Sequence, residues 1–292
     1  MKKLRIAMLA SNLIKIPPRV SNIPKGFSGA PESIISIITE ELVKRGHDVT
    51  LFASGNSKTS ARLVSVTKKD ISSMYDINLI DHKEFEHLLI SKAYQMAKNN
   101  EFDIIHSHFD TRSSFYAPFV NIPTVVTLHS PIDDIVKNKI LKLNPISQRY
   151  VSISKAQRKA LPKLNYVKNI YHGIETKNIP FSEKKDDYLV YVGRLNKEKG
   201  ADLAVKIAVK SGMKLILLGY STDNRFYNEN IKPFLNKNIK HLGFISHKEV
   251  LNIVSKSKCL ILPLRWSEPF GLVMIEAMAC GTPVIAFNNG SA

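Results

Sequence analysis

Cysteine is scarce in this sequence, and its scarcity excludes two kinds of protein. Only Cys259 and Cys280 occur among the 292 residues, both in apolar surroundings. A disulfide framework or a thiolate metal cluster needs more sulfur at other spacings, and a reducing cytoplasm fits. Long apolar runs are also missing: nothing approaches the ~18 residues of a bilayer-spanning helix. The opening Met1–Ala10 has a basic head and an apolar body, superficially like a secretion signal. Arg5 interrupts the apolar part and Ser11-Asn12 ends it early, so a first buried strand is expected instead. Blocks of like charge are absent too, although the net charge is +17. The basic excess is spread over both halves, with no stripe of Lys and Arg interleaved with aromatics, and this argues against nucleic acid as a partner. What remains is a generally basic surface with a weak attraction for anionic membrane, at about 1 kcal/mol per Lys or Arg close to it. The expected location is cytoplasmic, peripheral at a membrane. Internal repeats and low-complexity segments are lacking.

Apolar runs of strand length alternate with helical patterns from end to end, which predicts α/β architecture with parallel sheets and crossover helices. Leu4–Ala10 reads as a strand, followed by a helix over Pro31–Arg45. That helix has Pro31 in its first turn, Ile34, Ile35, Ile38 and Leu42 at helical spacing, and Gly46 as its stop. Val49–Ala53, Ile104–His108, Thr124–Leu128 and Tyr150–Ser154 follow as strands. A second series comprises Tyr188–Val192, Lys214–Leu218, Lys240–Ile245, Cys259–Leu264 and Val284–Phe287. The charged stretch Ile174–Asp187, containing Pro180, reads as the linker. Two doubly wound domains facing a cleft, residues 1–173 and 174–292, are expected, with ligands at the carboxyl ends of the strands.

The most informative segment is Trp266-Ser-Glu268-Pro-Phe270-Gly271-Leu272-Val-Met-Ile-Glu276-Ala-Met-Ala-Cys-Gly281-Thr-Pro283. Pro269 and Gly271 mark the entry to an apolar helix, Gly281 and Pro283 its exit. Glu268 then sits in the loop at the helix mouth and Glu276 inside the helix. A carboxylate set among Val273, Met274, Ile275, Ala277 and Met278 is costly to bury unless something pairs with it. It is either a structural Glu bonded to a neighbour or a ligand-binding one. The loop-to-helix junction offers backbone N–H groups and the positive end of a dipole, which suit a phosphate. Two acceptors flanking an anion site match a nucleotide sugar, which has hydroxyls on both sides of its diphosphate.

This segment resembles the E-x7-E signature of retaining GT-B glycosyltransferases, the glycogen-synthase and phosphatidylinositol-mannosyltransferase type grouped as glycosyltransferase family 4. The match runs through Glu268-Pro-Phe-Gly-Leu-Val and Glu276-Ala-Met-Ala-Cys-Gly-Thr-Pro-Val-Ile-Ala. The resemblance implies that Glu268 binds hydroxyls of the donor sugar and Glu276 the ribose hydroxyls of the nucleotide.

Other elements carry the likeness further. Gly193-Arg194-Leu-Asn-Lys-Glu-Lys199-Gly200 follows a predicted strand and opens a helix. Arg194 and Lys199 are either solvated surface charges or an anion site. They resemble the family's G-R-L…K-G element, whose Arg and Lys grip the donor diphosphate. No Asp-x-Asp occurs in the chain, and fixed cations can neutralise a leaving diphosphate in place of a metal, so a metal-independent reaction without cofactor is expected. Thr124-Val-Val-Thr-Leu-His129 resembles the T-[LF]-H element, whose His contacts the donor sugar; a lone His at a strand end is otherwise structural. His106 and His108 end an earlier strand and point to the same edge. Their His-x-His spacing could suggest a metal, but a third ligand is not apparent, and His108 reads as acceptor-side lining. The loop Pro24–Glu32 carries Ser28-Gly29 where the family usually has Gly-Gly, so Gly29 alone is the carry-over. Gly243, in Leu242-Gly-Phe244, reads as floor for the base. Ser152–Arg158 and Tyr171–Glu175 resemble domain-boundary elements.

The resemblance also implies further strand and helices beyond Ala292, so the second domain is expected to be incomplete. The expected activity is transfer of a hexose from a nucleotide diphosphate-sugar to an acceptor hydroxyl, on a glycan or a lipid-linked molecule. The rivals are a non-catalytic sugar-nucleotide binder or partner subunit and, from the same fold, a sugar-nucleotide epimerase.

Overall fold

The computed structural model describes residues 2–18, 29–74, 81–143 and 148–292. The chain forms two compact units, Met1–Tyr171 and His172–Ala292.

The first unit runs β1 (Arg5–Leu9), α1 (Ala30–Lys44), β2 (Asp48–Phe52), β3 (Arg62–Val64), α2 (His82–Lys98), β4 (Ile104–Ser107), β5 (Thr124–Thr127), α3 (Ile135–Leu143), β6 (Arg149–Ser152) and β7 (Tyr166–Asn169). Its seven strands lie in the order β3-β2-β1-β4-β5-β6-β7, and each neighbouring pair is parallel. Side chains alternate across a strand, so a strand covered on both faces must be apolar at every position. β1 shows this directly. Ala7 and Leu9 pack with Leu89, Ala93 and Tyr94 of α2, whereas Ile6 and Met8 pack with Ile35 of α1 on the other face.

The second unit runs β8 (Tyr188–Val192), α4 (Ala201–Ser211), β9 (Lys214–Leu218), α5 (Asn224–Asn230), β10 (Ile239–His241), α6 (His247–Lys256), β11 (Cys259–Leu262), α7 (Leu272–Ala279) and β12 (Val284–Ala286). The parallel order is β10-β9-β8-β11-β12. Leu189 and Tyr191 face α4, and Val190 faces α6 and α7. The winding reverses between β8 and β11, which makes the crevice at their carboxyl ends the natural ligand position. The loops leaving those two strands therefore emerge side by side.

Several elements depart from the sequence reading. The strand expected over Lys240–Ile245 ends at His241, because Gly243 turns the backbone to φ +74°. The one expected over Cys259–Leu264 ends at Leu262, before Pro263, which has no N–H to donate to the ladder. β3 and β7 have no counterpart among the apolar runs; the first has three residues, and the second is an outer strand with Val167 exposed. The expected linker 174–187 is packed onto the second unit. Ile179 joins the core between α6 and α7, and Lys185 Nζ donates to the Ser255 carbonyl (2.8 Å) and the Thr282 hydroxyl (3.1 Å). Both cysteines are buried free thiols.

Candidate functional site

The loop after β8 holds Arg194 and Lys199, and the loop after β11 holds Trp266 and Glu268. Both loops are fixed by polar contacts. The Tyr191 hydroxyl donates to the carbonyls of Arg194 (2.8 Å) and Lys199 (3.2 Å), tying down the first loop from beneath. Gly200 closes that loop at φ +72° and caps α4. A Cβ there would meet the Pro263 carbonyl oxygen at 1.9 Å, so only glycine lets the two loops approach this closely. Arg265 then spans them. Its guanidinium donates to both carboxylate oxygens of the buried Asp202 (2.6 and 2.7 Å) and to the Lys197 carbonyl (2.8 Å). This two-pronged geometry is available to Arg and not to Lys.

On this frame Lys199 and Glu268 meet. Lys199 Nζ lies 2.5 Å from Glu268 Oε2, and the same oxygen accepts from Trp266 Nε1 at 2.8 Å. The Lys199 ammonium sits 3.9 Å from the centre of the Trp266 ring, and the Arg194 guanidinium 5.7 Å from it. Two cations, one carboxylate and an indole thus share one place. Burial lowers the Lys199 pKa, and the Glu268 carboxylate opposes that shift. The backbone of Glu268 is pinned as well, by a parallel bridge to Gly290 and by Ser291 N–H donating to its carbonyl at 2.9 Å.

Glu268 leads through Pro269 and Phe270 to α7. Phe270 stands edge-on to His172 with ring centres 5.2 Å apart, and burial pushes His172 down to about 4. Gly271 caps α7 in the left-handed conformation at φ +81°, and no side chain caps this helix end, which Leu272 begins. Glu276 lies one turn further along α7. Its Oε1 is 2.8 Å from His247 Nε2 of α6, and that contact raises the His247 pKa. Gly243 turns the chain after β10, beside the edge-to-face pair Tyr220–Phe244 with centres 5.4 Å apart.

The first unit carries its own cluster at the carboxyl ends of β4 and β5. His108 Nδ1 lies 2.8 Å from His129 Nε2, and His106 Nε2 lies 2.9 Å from the Thr127 hydroxyl. The His129 backbone N–H donates to Asp110, which also pairs with Lys137 at 3.0 Å. Burial pushes His106 down to about 4. Among the described residues no three His, Cys, Asp or Glu side chains are grouped to hold a metal ion. Gly29 caps α1 at φ +68°; Pro24–Ser28 of the same loop lie outside the described residues.

The sequence motifs assign no role to Tyr191, Asp202, His247, Arg265 or Trp266. Trp266 opens the informative segment, Arg265 directly precedes it, and Asp202 stands three residues beyond Lys199. A search for charge partners around the quoted motifs would have reached them. His247 carries no such local signal, because it comes to Glu276 from another helix.

The matches to known proteins agree with this architecture. Residues 32–178 match the family model Glycosyltransferase Family 4, and residues 174–292 match Glycosyl transferases group 1. An uncharacterised glycosyltransferase of Methanocaldococcus jannaschii is 28% identical over 217 residues, covering 68% of this chain and 60% of that protein. Sucrose-phosphate synthase from Thermosynechococcus elongatus superposes with a TM-score of 0.75 at 19% identity, over 99% of this chain and 82% of that one. The Anabaena protein HepE in complex with UDP and glucose superposes at 0.70 and 18% identity, over 99% and 82%. The chain belongs to glycosyltransferase family 4, and its two parallel sheets are the Rossmann-like domains of a GT-B fold.

Proposed function

We propose that the protein transfers a hexose from a nucleotide diphosphate-sugar to the hydroxyl of a glycan or lipid-linked acceptor, with retention at the anomeric carbon and without a metal. The observation that carries this reading is the Lys199–Glu268 pair lying on Trp266 in front of α7, with Arg194 5.7 Å from the same ring centre. The cation and the carboxylate satisfy each other. A diphosphate would draw Lys199 and Arg194 to its oxygens, assisted by the backbone around Phe270, Gly271 and Leu272 at the positive end of α7. Glu268 is then released to accept hydrogen bonds from sugar hydroxyls, and Glu276 takes the ribose hydroxyls, with Gly243 beside the base. His129 and His108 serve the sugar and the acceptor from the first unit, and Gly29 leaves room for backbone approach; these three roles rest on the family resemblance.

The reaction breaks the bond between the anomeric carbon and a diphosphate oxygen. It forms a bond from the acceptor oxygen on the same face of the sugar. The acceptor proton passes to the departing phosphate oxygen, and the two cations stabilise the charge that develops there. HepE, crystallised with UDP and glucose, supports a nucleotide-sugar donor for this chain.

The test is release of nucleoside diphosphate from a panel of UDP-, GDP- and ADP-sugars. Release that falls at least about a hundredfold in Glu268→Ala supports the reading, by the usual size of losing one charge-stabilising contact. Binding without release in the unsubstituted protein would leave a sugar-nucleotide binder instead. A ligand present at ~100 times its dissociation constant raises stability by about 2.7 kcal/mol, so the same panel identifies the base by thermal shift.

A further inference from the structure

We propose that α3 (Ile135–Leu143) is the element by which this protein rests on an anionic lipid surface. A helix on the surface of a globular protein ordinarily turns its apolar side inward. α3 instead leaves three of its five apolar residues exposed. Ile135, Val136 and Leu143 are 71%, 63% and 84% exposed, and among its residues only Leu141 is fully buried. At 100° per residue these three lie on one arc of the helix, and Lys139 and Lys142, both exposed, fall within and beside that arc. The remaining lysine, Lys137, turns away to pair with Asp110 at 3.0 Å. The outward face is therefore aliphatic side chains interleaved with ammonium groups.

That composition selects its partner. Aliphatics that enter the headgroup region beside lysines that meet lipid phosphates are the pattern of an in-plane membrane helix. A second copy of this chain fits poorly, because pairing the same face with itself would bring lysines against lysines in a molecule of net charge +17. Among the described residues no helix is long and apolar enough to cross a membrane, so the contact is superficial. The helix is also graded. Asp133 and Asp134 stand exposed at its start, where Asp134 Oδ1 accepts from Lys137 N–H at 2.9 Å, and Lys142 and Leu143 stand at its end. The carboxyl-terminal end is the one that approaches the lipid. The inference goes beyond the donor chemistry. It deepens the acceptor side of the proposed reaction, on which its biological meaning rests, by favouring an acceptor carried on lipid.

The experiment is flotation of the full chain with vesicles of phosphatidylcholine alone and of phosphatidylcholine mixed equally with phosphatidylglycerol. Binding to the mixed vesicles only, weakened by salt, is expected. Lys139→Gln with Lys142→Gln should weaken it roughly thirtyfold, from about 1 kcal/mol per lysine. Leu143→Glu should weaken it more than Ile135→Glu. Circular dichroism melts and the thermal shift with nucleotides should be unchanged in all variants, so failure at the membrane is distinguishable from failure of the donor reading. The proposal is overturned if the unsubstituted chain ignores anionic vesicles, or if the variants bind as it does. A dimer in light scattering that Leu143→Glu dissolves would likewise overturn it and assign the face to a second copy.

Discussion

His247 Nε2 lies 2.8 Å from Glu276 Oε1, which links the first turn of α6 to the middle of α7. An imidazolium at a helix start is opposed by the helix dipole, and the Glu276 carboxylate offsets this. The His247 pKa is raised above its ordinary 6.5, chiefly by the hydrogen bond to Glu276. A raised folded-state pKa stabilises the protein fully below the unfolded value, and the gain is lost as pH climbs through the folded value. The difference in melting temperature between the unsubstituted chain and His247→Gln should therefore be larger at about pH 5.5 than at about pH 8.5, on either side of the ordinary histidine pKa. A difference that grows with pH would contradict the pairing.

Lys199 and Glu268 are 18% and 12% exposed and share a 2.5 Å contact, so neither is well solvated when its partner is removed. Lys199→Met and Glu268→Gln should each destabilise by about 1–3 kcal/mol, the usual cost of leaving a buried partner unpaired. The double variant should lose less than their sum by about 1 kcal/mol. Urea unfolding of the four proteins measures this coupling, and strict additivity would show that the pair is an accident of the surface.

Arg265 holds the two site loops together through Asp202, a residue only 5% exposed. Burial pushes the Asp202 pKa up, but the hydrogen bonds and charge of Arg265, together with the Lys206 charge and a backbone hydrogen bond, outweigh that and leave it below its ordinary value. Its contribution to stability is present above the unfolded carboxylate pKa and lost as pH falls through the folded one. Arg265→Lys should cost about 2 kcal/mol at neutral pH, because the two-pronged bond is lost and Asp202 stays buried. The deficit should shrink in acid. Donor affinity should weaken as well, since Arg265 also grips the loop that carries Lys199. Thermal melts across the acid range and nucleotide titrations read the two effects separately.

Gly200→Ala tests the close approach of the loops. The added methyl would meet a backbone oxygen at 1.9 Å, in a conformation that side chains already disfavour. A loss of about 3 kcal/mol is expected, above the ordinary range for a surface substitution. A loss within about 0.5 kcal/mol would mean that the loops adjust freely.

The alternation of apolar runs and helical patterns was enough to read the two parallel sheets, because strands such as β1 are covered on both faces and must be apolar throughout. Strand ends were less legible. Pro263 and Gly243 stop β11 and β10 by backbone chemistry that an apolar count ignores. The site divided along the same line. Glu268, Glu276, Arg194 and Lys199 were legible because motif spacing carries them. The pairing of Lys199 with Glu268 follows from β8 and β11 being neighbours, a fact of sheet order. Arg265 and Asp202 stand within three residues of those motifs but pair with each other only through the fold, and His247, brought in from another helix, is announced by no spacing along the chain.

Trp266 is the only tryptophan in the protein, and it lies directly under the ammonium that a diphosphate would draw away. Indole emission responds to the electric field along the ring, and here that field is set by Lys199, Arg194 and Glu268. The intrinsic fluorescence of the unlabelled chain is therefore a direct optical readout of occupancy at this one place, with no second indole to obscure it.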